Sequence, residues 1–85
     1  IVLLMFIIAS AWSNEFDTAV DDYNKGSYIK ALNSFYSLAK KGDAKAQYNV
    51  AMIYANGKGV KKDIPQAMEW YEKAAQQGNA AAAYN

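Results

Sequence analysis

Asp17 and Asp21 stand four residues apart, and they are the first side chains in the sequence that could do chemistry together. On a helix that spacing puts both carboxylates on one face, where they could exchange protons or hold a hard cation. A dedicated cation site needs more oxygen ligands, and Lys25 follows Asp21 at i+4 as an ion-pair partner. A solvated helix face therefore explains the pair better than catalysis does. Glu69 and Lys73 have the same spacing and the same explanation.

The stretch Gly57-Lys-Gly-Val-Lys-Lys-Asp63 is glycine-rich and basic, which raises the question of a phosphate cradle. It lacks the G-x-x-x-x-G-K-[ST] spacing, and it follows a helical pattern rather than a strand. A tight reversal is the better reading: the glycines allow the turn, Val60 tucks inward and Asp63 caps the next helix, leaving Lys58, Lys61 and Lys62 in solvent. Tyr48, Tyr54, Trp70, Tyr71 and Tyr84 could form a stacking platform for sugars or bases. At helical spacing, aromatic rings more often pack between helices with their polar tips at the edge.

Composition narrows the chemistry further. The 85 residues contain no Cys and no His, and all nine basic residues are Lys. Disulfides, thiolate metal sites and Ser-His or Cys-His nucleophile pairs are excluded within this sequence. A net charge of +1 gives no basic field of the kind that nucleic-acid binding requires. No cofactor is expected. Hydrophobic residues make up 53% of the chain, dominated by Ala and Tyr, which indicates a folded chain with one small core.

Residues 1–13 read as a signal peptide that lacks its basic start, with a membrane anchor or a buried helix as the alternatives. Ile1 to Ala11 is apolar except for Ser10, too short to span a bilayer but of the length of a secretory apolar region. Small residues at Ala9, Ala11 and Ser13 suit cleavage after Ala11 or Ser13, with Ser13 preferred. The expected product is exported, either periplasmic or secreted, with no membrane span after cleavage.

Downstream, the apolar spacing is helical. Tyr28, Ala31, Leu32, Phe35, Leu38 and Ala39 share one face; Ala44, Tyr48, Ala51, Met52 and Ala55 form a second stripe; Ala67, Trp70, Tyr71, Ala74 and Ala75 form a third. Gly26, Gly42, Gly57 and Gly78 each close a periodic stretch, and Ser27, Asp43, Asp63 and Asn79 each precede one as a candidate N-cap. Pro65 suits a first helical turn. Helices are predicted over 15–25, 28–41, 44–56 and 64–77, with a fifth starting at Ala80.

The sequence repeats itself. An offset of 36 residues places Ala31, Ala39, Gly42, Ala44, Ala46, Tyr48 and Asn49 on Ala67, Ala75, Gly78, Ala80, Ala82, Tyr84 and Asn85. Small residues at fixed positions let helices approach closely, and large aromatics fill the remaining space. The predicted fold class is all-α: an α-solenoid of stacked antiparallel helical hairpins.

The run from Asp43 to Gly78 resembles a Sel1-like repeat. The residues that carry the likeness are Tyr54, Gly57, Gly59, Val60, Asp63, Ala67, Trp70, Tyr71, Lys73, Ala74, Ala75 and Gly78. Ala51-Met52 stands where that family often has Leu-Gly, which would widen the helix crossing. Upstream, Tyr23 to Ala31 resembles the tight turn of a tetratricopeptide hairpin. The expected organisation is a signal peptide at 1–13, a tetratricopeptide-like opening hairpin at 14–42, a Sel1-like repeat at 43–78, and at 79–85 the truncated start of a further repeat.

The resemblance implies an exported protein-protein interaction module that presents a concave helical surface to a protein or peptide partner, without catalysis. Two other readings stay open. Some cysteine-rich Sel1-like secreted proteins are linked to β-lactam binding or hydrolysis, but this chain has no Cys and no S-x-x-K motif accompanied by its partner motifs. A scaffold in cell-envelope polysaccharide assembly is the other. No cysteine follows the leader to carry a lipid anchor.

Overall fold

The computed structural model describes residues 14–78, which form four helices and no strand. Helix α1 covers 14–24, α2 runs Tyr28–Lys40, α3 Ala44–Asn56 and α4 Ile64–Gln76. The expected signal peptide at 1–13 and the expected fifth helix from Ala80 lie outside the described residues, as does Tyr84.

Local chemistry sets the ends of these helices. Asp43 is extended and its Oδ1 accepts the amides of Lys45 at 2.9 Å and Ala46 at 3.1 Å, which satisfies two of the unpaired N–H groups of α3. Asp63 does the same for α4 through the amide of Gln66 at 3.1 Å, with Pro65 in the first turn. Ser27 does not cap α2 in this way. Its ψ of 64° takes it out of the extended region, and its side chain accepts no bond from the first turn. Instead the Ser27 amide donates back to the Asp22 carbonyl at 2.8 Å, closing α1. Helices α2 and α4 each end one residue earlier than expected, because the Lys41 and Gln77 amides bond to carbonyls three residues back and tighten the last turn.

The helices stack as antiparallel hairpins, with α3 in the middle. Phe16 of α1 meets Phe35 of α2 edge to face at 5.4 Å between ring centres. Leu38, Val50 and Ile53 are fully buried, and Ala31, Ala46, Ala51 and Ala67 leave space for close helix approach. The stripes expected on α2 and α4 face the core, with Tyr28, Tyr71 and Ala75 half-buried at their margins. Residues Leu32, Phe35 and Ala39 are buried on the first, and Ala67, Trp70 and Ala74 on the second. The stripe expected on α3 is not the observed one. Ala46, Gln47, Val50, Ala51 and Ile53 are buried there, while Ala44, Tyr48, Met52 and Ala55 are only half-buried. This helix packs against both α2 and α4, so its apolar surface wraps around two sides instead of one.

Candidate interaction surface

The loop between α3 and α4 joins the second hairpin to the first. Gly57 adopts φ 63° and ψ 42°, and its amide bonds to the Ile53 carbonyl, so it terminates α3 in the left-handed conformation that favours glycine. Gly59, at φ 74°, lies against the start of α2, where a Cβ would come within 2.6 Å of Tyr28 Cβ. Val60 packs against the core, and the Asp63 amide bonds to the Tyr54 carbonyl at 3.0 Å. Lys58 reaches over the Tyr28 ring at 5.8 Å, and Lys61 and Lys62 are exposed. The loop's glycines thus serve the reversal itself and its contact with α2.

The remaining residues of the repeat motif lie on α4 and its end. Ala67 and Ala74 are buried, Ala75 and Tyr71 half-buried, and Gly78 takes φ 84° after the helix. Trp70 is 7% exposed and meets Tyr36 of α2 edge to face at 5.6 Å. Lys73 Nζ lies 4.4 Å from the centre of the Trp70 ring. Glu69 and Lys73 form no ion pair, because the indole face takes the ammonium. The Tyr71 and Tyr48 rings meet at a tilt of 57° with centres 5.5 Å apart, and burial, followed by the neighbouring Tyr48, pushes the Tyr71 phenol up from its ordinary value.

The acidic side chains are dispersed. Asp21 pairs with Lys25 at 2.9 Å with both side chains more than 60% exposed, and Asp17 is in solvent. The hydrogen bond to Asp21, then its charge, raises the Lys25 ammonium above its usual value. Such a pair contributes little to stability. No group of three or more metal-ligating side chains forms among the described residues. Two S-x-x-K spacings occur, from Ser27 to Lys30 and from Ser37 to Lys40. Ser27 and Lys30 lie on open surface, and Lys40 Nζ sits over the Tyr36 ring at 4.8 Å.

Two buried polar residues escaped the sequence reading. Gln47 is 5% exposed; its Nε2 donates to the Ala39 carbonyl at 3.1 Å and its Oε1 accepts from Gln77 Nε2 at 2.8 Å. One amide thus ties together the ends of α2, α3 and α4. Asp22 is 8% exposed, with Oδ2 lacking a hydrogen-bond partner. Its position one turn after the buried Ala19 was the only signal available.

The large apolar side chains left in solvent are on α2 and α4: Ile29 (56% exposed), Tyr36 (40%), Ile64 (46%) and Met68 (56%). The repeat offset separates them into two kinds. Ile64 and Met68 correspond to Tyr28 and Leu32, which lie on the stripe by which α2 packs into the stack. Ile29 and Tyr36 correspond to Pro65 and Glu72, which face solvent. No helix of the described residues is long and apolar enough to cross a membrane.

Residues 44–79 match the Sel1 repeat. A sel1-like repeat-containing protein of Acanthamoeba polyphaga mimivirus is 46% identical over 41 residues, 48% of this chain. DAP3-binding cell death enhancer 1 of Rattus norvegicus is 36% identical over 50 residues, 59% of this chain. The chain spans only 7% and 10% of the lengths of these two relatives. No solved structure matches it.

Proposed function

Because the chain carries a Sel1 repeat over residues 44–79, a helical module of protein-protein interaction, we infer that it is an exported adaptor or scaffold that offers the concave side of its helical stack to a protein or peptide partner. One observation carries this reading. The repeat-motif side chains and glycines are largely occupied in building the stack: Gly59 against Tyr28, Trp70 against Tyr36, Asp63 on the start of α4. What is left for function is the outward surface of the helices. On α1 and α3 that surface is polar, with Asp17, Thr18, Lys45 and Asn56 exposed, and suits a protein surface better than a small substrate. One relative is itself named for binding a protein, DAP3.

The likeness of 80–85 to 44–49 at the 36-residue offset supports a further repeat as the neighbour of Ile64 and Met68. The apolar segment at 1–13 supports export.

Photo-crosslinking tests the partner surface: a benzoylphenylalanine placed at Asp17 or Lys45 of the full-length protein is expected to capture a defined protein in its own cells. Capture from neither position would overturn the surface. An alkaline phosphatase fusion to the full reading frame, active only outside the cytoplasm, tests export; an inactive fusion overturns it.

A further inference from the structure

Repeat stacking does not account for the outer stripe of α2. Ile29, Asn33, Tyr36 and Lys40 recur at i, i+4, i+7 and i+11, so they form one line along the helix, opposite the buried residues Leu38 and Ala31. All four are exposed. At the equivalent positions α4 carries Pro65, Glu69, Glu72 and Gln76, which include no large aliphatic or aromatic side chain and of which Glu69 and Glu72 are acidic. A repeat therefore does not need Ile, Tyr or Lys here, and α2 departs from its own repeat partner in both apolarity and sign of charge.

The charges around the stripe are one-sided. Helix α2 contains no acidic residue, and Lys30 and Lys41 flank the line that ends in Lys40. Lys41 approaches Glu15 of α1 at 3.8 Å, which leaves Lys30 and Lys40 as the cations of the stripe. At its C-terminal end the stripe meets α4. There Lys40 covers Tyr36, Tyr36 abuts Trp70, and Lys73 covers Trp70, so an aromatic pair sits between two ammonium groups.

We propose that the outer stripe of α2 docks an acidic peptide segment with an apolar anchor. The anchor packs on Ile29 and Tyr36, and flanking carboxylates pair with Lys30 and Lys40. Charge complementarity selects this occupant: the only charged side chains of α2 are lysines, and Lys73 of α4 adds a further cation beside the Tyr36–Trp70 pair. The face is distinct from the α1 and α3 surface inferred above, although the inference rests on the same reading of the protein as an interaction module.

Selection of random displayed peptides on the immobilised full-length protein tests it. The expected result is enrichment of peptides that combine Asp or Glu with one aromatic or leucine residue. Their binding should fall about tenfold or more on Tyr36→Ala and on Lys30→Glu with Lys40→Glu, and should weaken as salt rises. The lysine substitutions are at exposed positions, so folding, checked by circular dichroism, is expected to survive them even if Tyr36→Ala perturbs it. Peptides that instead lose binding on Asp17→Asn or Lys45→Glu would overturn the α2 site while leaving the module reading intact. Failure to enrich any peptide would overturn the α2 site, while the module reading stands or falls on the crosslinking from Asp17 and Lys45. Binding to phosphatidylserine vesicles, or self-association seen by sedimentation, that is lost in the lysine variants without peptide enrichment would overturn the acidic peptide as occupant.

Discussion

Gly59 lies so close to Tyr28 that a methyl group on its α-carbon would meet Tyr28 Cβ at 2.6 Å, and its backbone is left-handed at φ 74°. These two constraints differ in kind. The first is a contact between hairpins, and the second belongs to the loop itself. Gly42, at φ 102° with nothing within 4 Å of such a methyl, has only the second. Gly59→Ala is therefore expected to cost about 2 to 4 kcal/mol, and Gly42→Ala about 1 to 2 kcal/mol. Urea denaturation of the two variants measures the difference. Equal costs would mean that the loop does not press on α2.

Gln47 gives a second prediction, about polar burial. Gln47→Met keeps the shape of the side chain but leaves the Ala39 carbonyl and the Gln77 amide without their partner, at a cost of about 1 to 3 kcal/mol. Gln77→Ala, at an exposed residue, costs about 1 kcal/mol or less. A double-mutant cycle between the two sites should show coupling of about 0.5 kcal/mol or more. Additive effects would show that the Gln77 bond contributes nothing.

Capping supplies the third. Asp43→Ala and Asp63→Ala each remove a bonded cap and should cost about 1 kcal/mol, whereas Ser27→Ala removes a side chain that accepts nothing from the helix and should change stability by a few tenths at most. Thermal melts of the three variants separate a cap in geometry from a cap in name. A Ser27→Ala loss as large as that of Asp43→Ala would overturn the assignment.

Those residues also show what could be read from the sequence and what could not. Helix limits were legible because their chemistry is local: an aspartate before the first turn, a glycine after the last. The packing stripes of α2 and α4 were legible because each is buried chiefly on one side. The α3 stripe was misread because periodicity assumes a single partner, and α3 has two. Ser27 has the residue type of a cap, but the turn that closes α1 sets its backbone and withholds the geometry. Glu69 and Lys73 have the spacing of an ion pair, yet the Trp70 ring is nearer to the ammonium than sequence spacing can reveal. The contact of Gly59 with Tyr28 and the Gln47 bridge join separate hairpins, so no local pattern announces them. For the candidate docking stripe, the sequence contained every residue, but only exposure distinguished Ile29 and Tyr36 from the core aromatics and aliphatics around them.

Tyr71 ties stability to pH. Burial and the adjacent Tyr48 raise its phenol above the ordinary value of 10.0, so the folded state holds the proton more tightly than the unfolded chain does. The unfolded state then binds fewer protons once pH exceeds its own tyrosine value, and stability must fall as pH rises. The contribution is fully present below pH 10 and is lost as pH climbs from there through the folded-state value. Tyr71→Phe removes the ionisable group while keeping the ring against Tyr48. Between pH 9 and pH 11 the wild-type Tm should drop by more than that of Tyr71→Phe, the excess being the share of this one phenol. Equal drops in the two proteins would assign the alkaline loss to other tyrosines and to lysines, and would mean that the phenol of Tyr71 is solvated in the folded state.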